Sequence, residues 1–241
     1  MTVGTITDDA VHVASFNLSR HRRLRGYAES LSIAERTRAS RFALEADRER
    51  FVVAHGLLRM TLAQYLGATP ASLQFCVGSF GKPRLRPPHD ALRFNLSHSA
   101  DRVVLAIALN REVGVDIERE RDTDVLAVSE RFFGSSEHAA LAGLRAARRR
   151  SAFFKCWVRK ESFIKAIGAG LSFPLTDIVV DPLDTRPQRV IHAKTEWTLL
   201  SLNAEPGYAT GLTFGSGDMR RMIGSSTWST SSESAVTIVE V

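Results

Sequence analysis

Asn110-Arg111-Glu112-Val113-Gly114-Val115-Asp116-Ile117-Glu118 joins two β-prone runs, Val103 to Leu109 and Val113 to Ile117, through a polar triplet. The Val, Ile and Leu content of both runs suits strands, and the short polar link suits a hairpin. Asp116 and Glu118 stand two positions apart, so the period of a strand puts both carboxylates on one face. Two like charges side by side are costly to bury unless a cation lies between them, and Mg²⁺ takes one or two carboxylates together with waters and phosphate oxygens. The same spacing also describes an edge strand whose polar face meets solvent.

Upstream of this seam, Val11, Val13 and Ser15 alternate as a strand does, and Ser32 with Glu35 offers a capping box for a helix through Phe42. From Asp47 to Leu66 the apolar residues Phe51, Val52, Leu58, Leu62 and Leu66 recur at helical spacing, and Gly67 stands where a left-handed terminal residue belongs. Short strands are expected at Leu73 to Val77 and Arg93 to Leu96. Downstream, helical patterns cover Val125 to Phe133, Glu137 to Arg145 and Ala152 to Ile167, ended by Gly168 and Gly170. Strands are expected at Asp177 to Val180, Gln188 to Ala193, Trp197 to Leu202 and Tyr208 to Phe214. Helices precede strands on both sides of the seam. The expectation is an α+β fold of two similar halves, residues 1–110 and 111–214, related by duplication. Residues 215–241 form a Ser/Thr-rich tail whose composition predicts mobility, although Val236 to Val239 could pair as a strand.

The 241 residues, 44% of them hydrophobic, can bury one generous core or two small ones. No apolar run of about 18 residues occurs, and the N-terminus lacks a basic stretch followed by an apolar block, so a cytoplasmic protein without a membrane partner is expected. Cys76 and Cys156 have neither metal-ligand spacing nor a neighbouring cysteine. The net charge of +6 favours anionic partners, among them nucleic acid, phosphate-rich cofactors and acidic proteins. The arginines at 145, 148, 149 and 150 read as a solvated helix end or loop.

Three further clusters carry chemistry. Trp157, Glu161 and Lys165 follow each other at intervals of four, presenting an indole, a carboxylate and an ammonium on one helical stripe. Glu161 could join a metal, and Lys165 could meet an anion there or form only an i, i+4 pair with Glu161. Gly81-Lys82-Pro83 holds a lysine in a restricted turn, and Phe94-Asn95-Leu96-Ser97-His98-Ser99 ends a strand in hydroxyls and an imidazole suited to an anion. A serine hydrolase is disfavoured: Ser97 and His98 are adjacent, so a strand turns them to opposite faces, and no G-x-S-x-G elbow exists.

In this order, Gly81-Lys82-Pro83, Phe94 to Ser99, Gly114 to Glu118 and Trp157-Val158-Arg159-Lys160-Glu161-Ser162-Phe163-Ile164-Lys165 resemble the surfactin-type family of 4′-phosphopantetheinyl transferases. The resemblance spans Ser32 to Phe173. It implies a pseudo-twofold α+β fold with coenzyme A, the donor substrate, in the cleft between halves. It implies that Asp116, Glu118 and Glu161 hold Mg²⁺ on the diphosphate, with Glu161 or a metal-held water as base and Lys165 stabilising the leaving adenosine 3′,5′-bisphosphate. Arg50, Lys82, Ser97 and His98 would surround the 3′-phosphate and adenine. Arg38 matches one family lysine, whereas Glu35 falls on another and is not carried over. An acyl or peptidyl carrier protein is the implied partner, and the segment Asp124 to Phe133 would help to dock it. A monomer is expected because both halves lie in one chain. The alternative is a basic nucleic-acid-binding protein without catalysis, which would need a continuous basic face or a stacking platform.

Overall fold

The computed structural model describes residues 5–21, 24–215, 225–231 and 234–240. The elements in chain order are β1 (Ala10–Asn17), α1 (Leu24–Ser30), α2 (Ile33–Ala39), α3 (Glu45–Leu66), β2 (Phe75–Val77), β3 (Pro83–Leu85), β4 (Leu92–Ser99), β5 (Arg102–Leu109) and β6 (Val113–Arg119). There follow α4 (Val125–Phe132), α5 (Ser135–Ala142), α6 (Ala146–Ile167), β7 (Gln188–His192), β8 (Thr195–Leu202), β9 (Tyr208–Gly215), β10 (Ser225–Ser231) and β11 (Ser234–Glu240). Helix and antiparallel sheet are mixed, as expected. The capping box forms as read: Ser32 Oγ accepts from Glu35 N at 3.3 Å, and Glu35 Oε2 accepts from Ser32 N at 2.8 Å. Gly67 and Gly168 close the two 22-residue helices, α3 and α6, with φ of 59° and 67°.

One antiparallel sheet has the order β10-β11-β1-β5-β4 and another β6-β9-β8-β7, while β2 and β3 pair by themselves. The 103–109 and 113–117 runs therefore do not form the expected hairpin. Both edges of β5 are taken, by β1 (Val11↔Ala108) and β4 (Leu92↔Leu109), and Asn110, at φ 52°, turns the chain into the other sheet. Asp177 to Val180 does not form the expected strand either. Its backbone groups go to side chains instead: Val180 N donates to Glu137 Oε1, and Ile178 O accepts from Lys160 Nζ. The tail expectation falls partly on 216–224, 232, 233 and 241, outside the described residues; β11 pairs with β1 in the register Val11↔Val239.

Three of the four apolar cores stack the sheets and the long helices. Helix α3 covers one face of the first sheet through Val53, Leu57, Leu58 and Leu62 against Phe16, Phe94, Leu105 and Ile107. The other face, with Val11, Val13, Val104 and Ala106, meets Val115, Ile117, Leu212 and Phe214 of the second sheet. The far face of that sheet buries Leu199 and Ala209 against Phe154, Val158 and Phe163 of α6. The layers thus run helix, sheet, sheet, helix. Two glycines let α6 touch the sheet backbone: a Cβ on Gly114 would come 2.0 Å from Ser162 O, and one on Gly211 2.3 Å from Val158 O. Gly211 is paired with Asp116, so this close approach brings α6 onto the carboxylate-bearing part of β6.

Gly114→Ala has no room without displacing α6, and the expected destabilisation is about 3 kcal/mol in urea unfolding. Gly26→Ala meets no atom within 4 Å and sits inside α1, so it should gain up to about 1 kcal/mol; equal midpoints for the two variants would contradict the backbone contact.

Candidate active site

The site grows from the meeting of two sheet edges. Strands β4 and β6 lie side by side without backbone pairing, and side chains of β4 take the place of the missing partner. Asn95 Oδ1 accepts from Val115 N at 2.9 Å, Ser97 Oγ from Ile117 N at 3.3 Å, and Ser99 Oγ from Arg119 N at 3.1 Å. The period of two puts these β4 side chains on one face, and the same period picks alternate amides of β6. The two hydroxyls also reach the acidic residues: Ser97 Oγ donates to Asp116 Oδ1 at 2.9 Å, and Ser99 Oγ to Glu118 Oε2 at 2.8 Å.

From α6, Lys165 Nζ donates to Asp116 Oδ1 at 2.5 Å and to Ser97 Oγ at 2.9 Å, rather than forming the i, i+4 pair with Glu161. Asp116 is 3% exposed, and its Oδ2 has no hydrogen-bond partner. Burial first, and then the Asp116 charge, raise the pKa of Glu161, with Lys165 opposing and Glu118 adding to the rise. Glu118 is raised by burial, lowered in part by Ser99, and raised again by Asp116. Asp116, Glu118 and Glu161 therefore share one electrostatic environment, and Lys165 is the cation in contact with it. Among the described residues no set of three His, Cys, Asp or Glu side chains is already disposed to hold a metal ion, and Lys165 and Ser97 both donate to Asp116 Oδ1. Trp157 leaves the stripe: its ring packs among Phe133 and Phe153, with Phe132 at its edge. A cavity of about 230 Å³ beside Glu161 and Lys165 is lined also by Phe80, Asn95, Ile164 and Gly170.

A second group of charges lies on α3 and at the end of β4. The His98 pKa is lowered by lost hydration, then by the fields of Lys165, His55 and Arg50, with Asp47 opposing. Arg50 pairs with Asp47 at 2.6 Å, His55 stacks on Phe51 at 4.0 Å, and the Arg38 guanidinium lies 5.2 Å from the same Phe51 ring. His98 thus lies in the positive field of Lys165, His55 and Arg50.

Residues 112–213 match the family model described as the 4′-phosphopantetheinyl transferase superfamily, and residues 11–110 match that described as 4′-phosphopantetheinyl transferase, N-terminal. The 4′-phosphopantetheinyl transferase HetI of Nostoc sp. is 35% identical over 202 residues, covering 82% of this chain and 84% of the relative. The chain belongs to the 4′-phosphopantetheinyl transferase superfamily. The Sfp transferase of Bacillus subtilis is 31% identical over 150 residues, 62% of this chain and 66% of its own, and the gsp transferase of Aneurinibacillus migulanus 34% over 156 residues, 65% and 63%. Nothing in these likenesses supports a nucleic-acid binder. No helix among the described residues is long and apolar enough to cross a membrane.

In this transferase, two residues that the resemblance assigns to the phosphate pocket hydrogen-bond within the frame. The Lys82 ammonium donates to Glu112 Oε2, Val113 O and Ala166 O at 2.8–3.0 Å, which uses all three of its protons. Ser97, 5% exposed, gives its one proton to Asp116. Three residues inside the quoted motifs carry a structural role that the motif reading did not give them. Asn95 and Ser99 are signalled only by their spacing from Ser97. Lys160, buried, donates to Glu137 Oε2 at 2.7 Å and to Leu175 O and Ile178 O, and nothing in a helical stripe distinguishes it from a solvated lysine.

Glu35, the departure from the family pattern, also belongs to the frame. It caps α2 and pairs at 2.7 Å with Arg59, which is 2% exposed. Burial would raise its pKa, but His55, the Ser32 hydroxyl and amide and the Arg59 charge outweigh it and bring it down to about 2. Because the folded pKa lies below the unfolded value, this stabilisation is complete above about pH 4.5 and is lost as pH falls toward 2. Acid titration of the unfolding free energy should show a loss of roughly 3 kcal/mol from this group, absent in Glu35→Gln.

Proposed function

We propose that this transferase moves the 4′-phosphopantetheine group of coenzyme A to a serine of an apo carrier protein with Asp116, Glu118 and Glu161 holding a magnesium ion. The observation that carries the reading is the field of Asp116 on both Glu118 and Glu161, with the buried Asp116 Oδ2 left without a partner. Oxygen donors of this kind fit a hard divalent cation. Asp116, Glu118 and Glu161 would hold the ion, whose positive charge would offset charge developing on the leaving phosphate.

The chain's own residues do the rest. Lys165, tethered to Ser97 and Asp116, stands beside the ligand cluster with an ammonium that can turn to a phosphate oxygen of the leaving group. Glu161, partly buried on the cavity wall, is the group we assign as base for the carrier serine. The 3′-phosphate falls to Arg50, His98 and Arg38, whose guanidinium forks and imidazole suit a dianion; Lys82 and Ser97 support the floor of the site. The two halves, 1–110 and 111–214, are proposed to be related by a pseudo-twofold axis, an idea supported by their equally long helices α3 and α6, each capped by a left-handed glycine. Docking of the carrier is assigned to the segment Asp124 to Phe133, where Phe132 is 39% exposed beside Trp157 while Val125 and Phe133 are buried. A cytoplasmic monomer completes the reading.

Incubation with coenzyme A, Mg²⁺ and an apo carrier protein should add phosphopantetheine to the carrier by mass spectrometry. Asp116→Ala should reduce transfer more than about a hundredfold with the fold retained, since even an outer partner of a metal ligand contributes 10–100-fold. Undiminished transfer by that variant removes the site. Coenzyme A affinity should rise as pH falls through the lowered His98 pKa, where the ring gains charge, and His98→Ala should bind coenzyme A about tenfold more weakly without that rise. A pH-independent affinity in the unaltered chain takes His98 out of the pocket.

A further inference from the structure

We infer that Ser97 and Ser99 are positioning residues for the cation-binding carboxylates, Ser97 setting the side chain of Asp116 and Ser99 that of Glu118. The inference rests on the assignment of those carboxylates as cation ligands. A serine hydroxyl has one proton and two lone pairs. On Ser99 the Arg119 amide takes a lone pair at 3.1 Å, so the proton is free to turn to Glu118 Oε2 at 2.8 Å. On Ser97 the Ile117 amide and the Lys165 ammonium take both lone pairs, at 3.3 and 2.9 Å, and the proton goes to Asp116 Oδ1 at 2.9 Å. The backbone contact that joins the sheet edges therefore also decides where each hydroxyl proton points.

The consequence is that one oxygen of Asp116 is held while the other, Oδ2, is buried and left without a partner. A carboxylate oriented in this way loses little rotamer freedom when a cation arrives. Asn95 provides an internal comparison: its Oδ1 accepts the Val115 amide at 2.9 Å, but no hydrogen bond links it to Asp116 or Glu118. If the three rungs served only to join the sheets, their removal would act alike. If two of them set ligands, those two affect the cation most.

The test titrates Mn²⁺ into the full chain with coenzyme A present and no carrier, reading free Mn²⁺ by electron paramagnetic resonance, with thermal midpoints measured in parallel. Ser99→Ala and Ser97→Ala should weaken Mn²⁺ binding at least about tenfold. Ser99→Thr, which keeps the hydroxyl, should restore most of the affinity, and Asn95→Ala should lower the midpoint with a loss of affinity well below that of Ser99→Ala. Ser99 is partly exposed and its variants carry the test if Ser97→Ala fails to fold. Wild-type affinity in Ser99→Ala overturns the positioning role and leaves the cation site standing. An equal loss in Asn95→Ala also overturns it, because the effect would then belong to the sheet junction. An unaltered chain that takes up no Mn²⁺ overturns the cation site and the positioning role together.

Discussion

The junction of β4 with β6 is the constraint on which the rest of the molecule depends. Two sheet edges meet there in a buried region, where unpaired amides would each forfeit a hydrogen bond worth about 1–3 kcal/mol. Asn95, Ser97 and Ser99 supply the missing acceptors at every second residue, and so replace a backbone ladder with a side-chain one. A backbone ladder would have merged the sheets into one. A side-chain ladder keeps them distinct and places hydroxyl groups directly against Asp116 and Glu118.

The second sheet then has to receive α6 at close range. Gly114 and Gly211 lack the Cβ atoms that would hold the helix away, and Glu161 and Lys165 approach the carboxylates as a result. Two lysines, Lys160 buried and Lys82 partly buried, hold this arrangement from either side. Lys82 ties the β2–β3 hairpin to the end of α6 and to the start of β6, and Lys160 ties α6 to α5 through Glu137. A charge in such a place is tolerated only with all its donors satisfied, and each of these ammonium groups has three acceptors. Removing one partner would strand the other, so these pairs specify the packing more than they strengthen it.

Local signals in the sequence proved reliable where the cause was local. The Ser32–Glu35 box, the helical ending at Gly67 and that at Gly168 form as read, because caps and left-handed glycines are determined by neighbours in the chain, although the helix after the box stops at Ala39 rather than Phe42. The hairpin expected from residues 103–117 does not form, although both runs are strands. Its failure has a non-local cause: β1 and β4 already occupy the two edges of β5. The strand expected at Asp177 to Val180 yields to the Lys160–Glu137 pair, which takes its backbone groups.

By its residues alone, this chain determined its helices and most of its strands, the family to which it belongs, and the acidic and basic side chains that crowd one region. Only the tertiary structure decided which of them remain available. Lys82 and Ser97 look in sequence like free ligands for an anion, yet their protons are taken by groups between 19 and 84 residues away. The physical reason is that a hydrogen-bonding group has a fixed number of protons and lone pairs. Which partners use them depends on distances across the fold, and no local pattern of residue types encodes those distances.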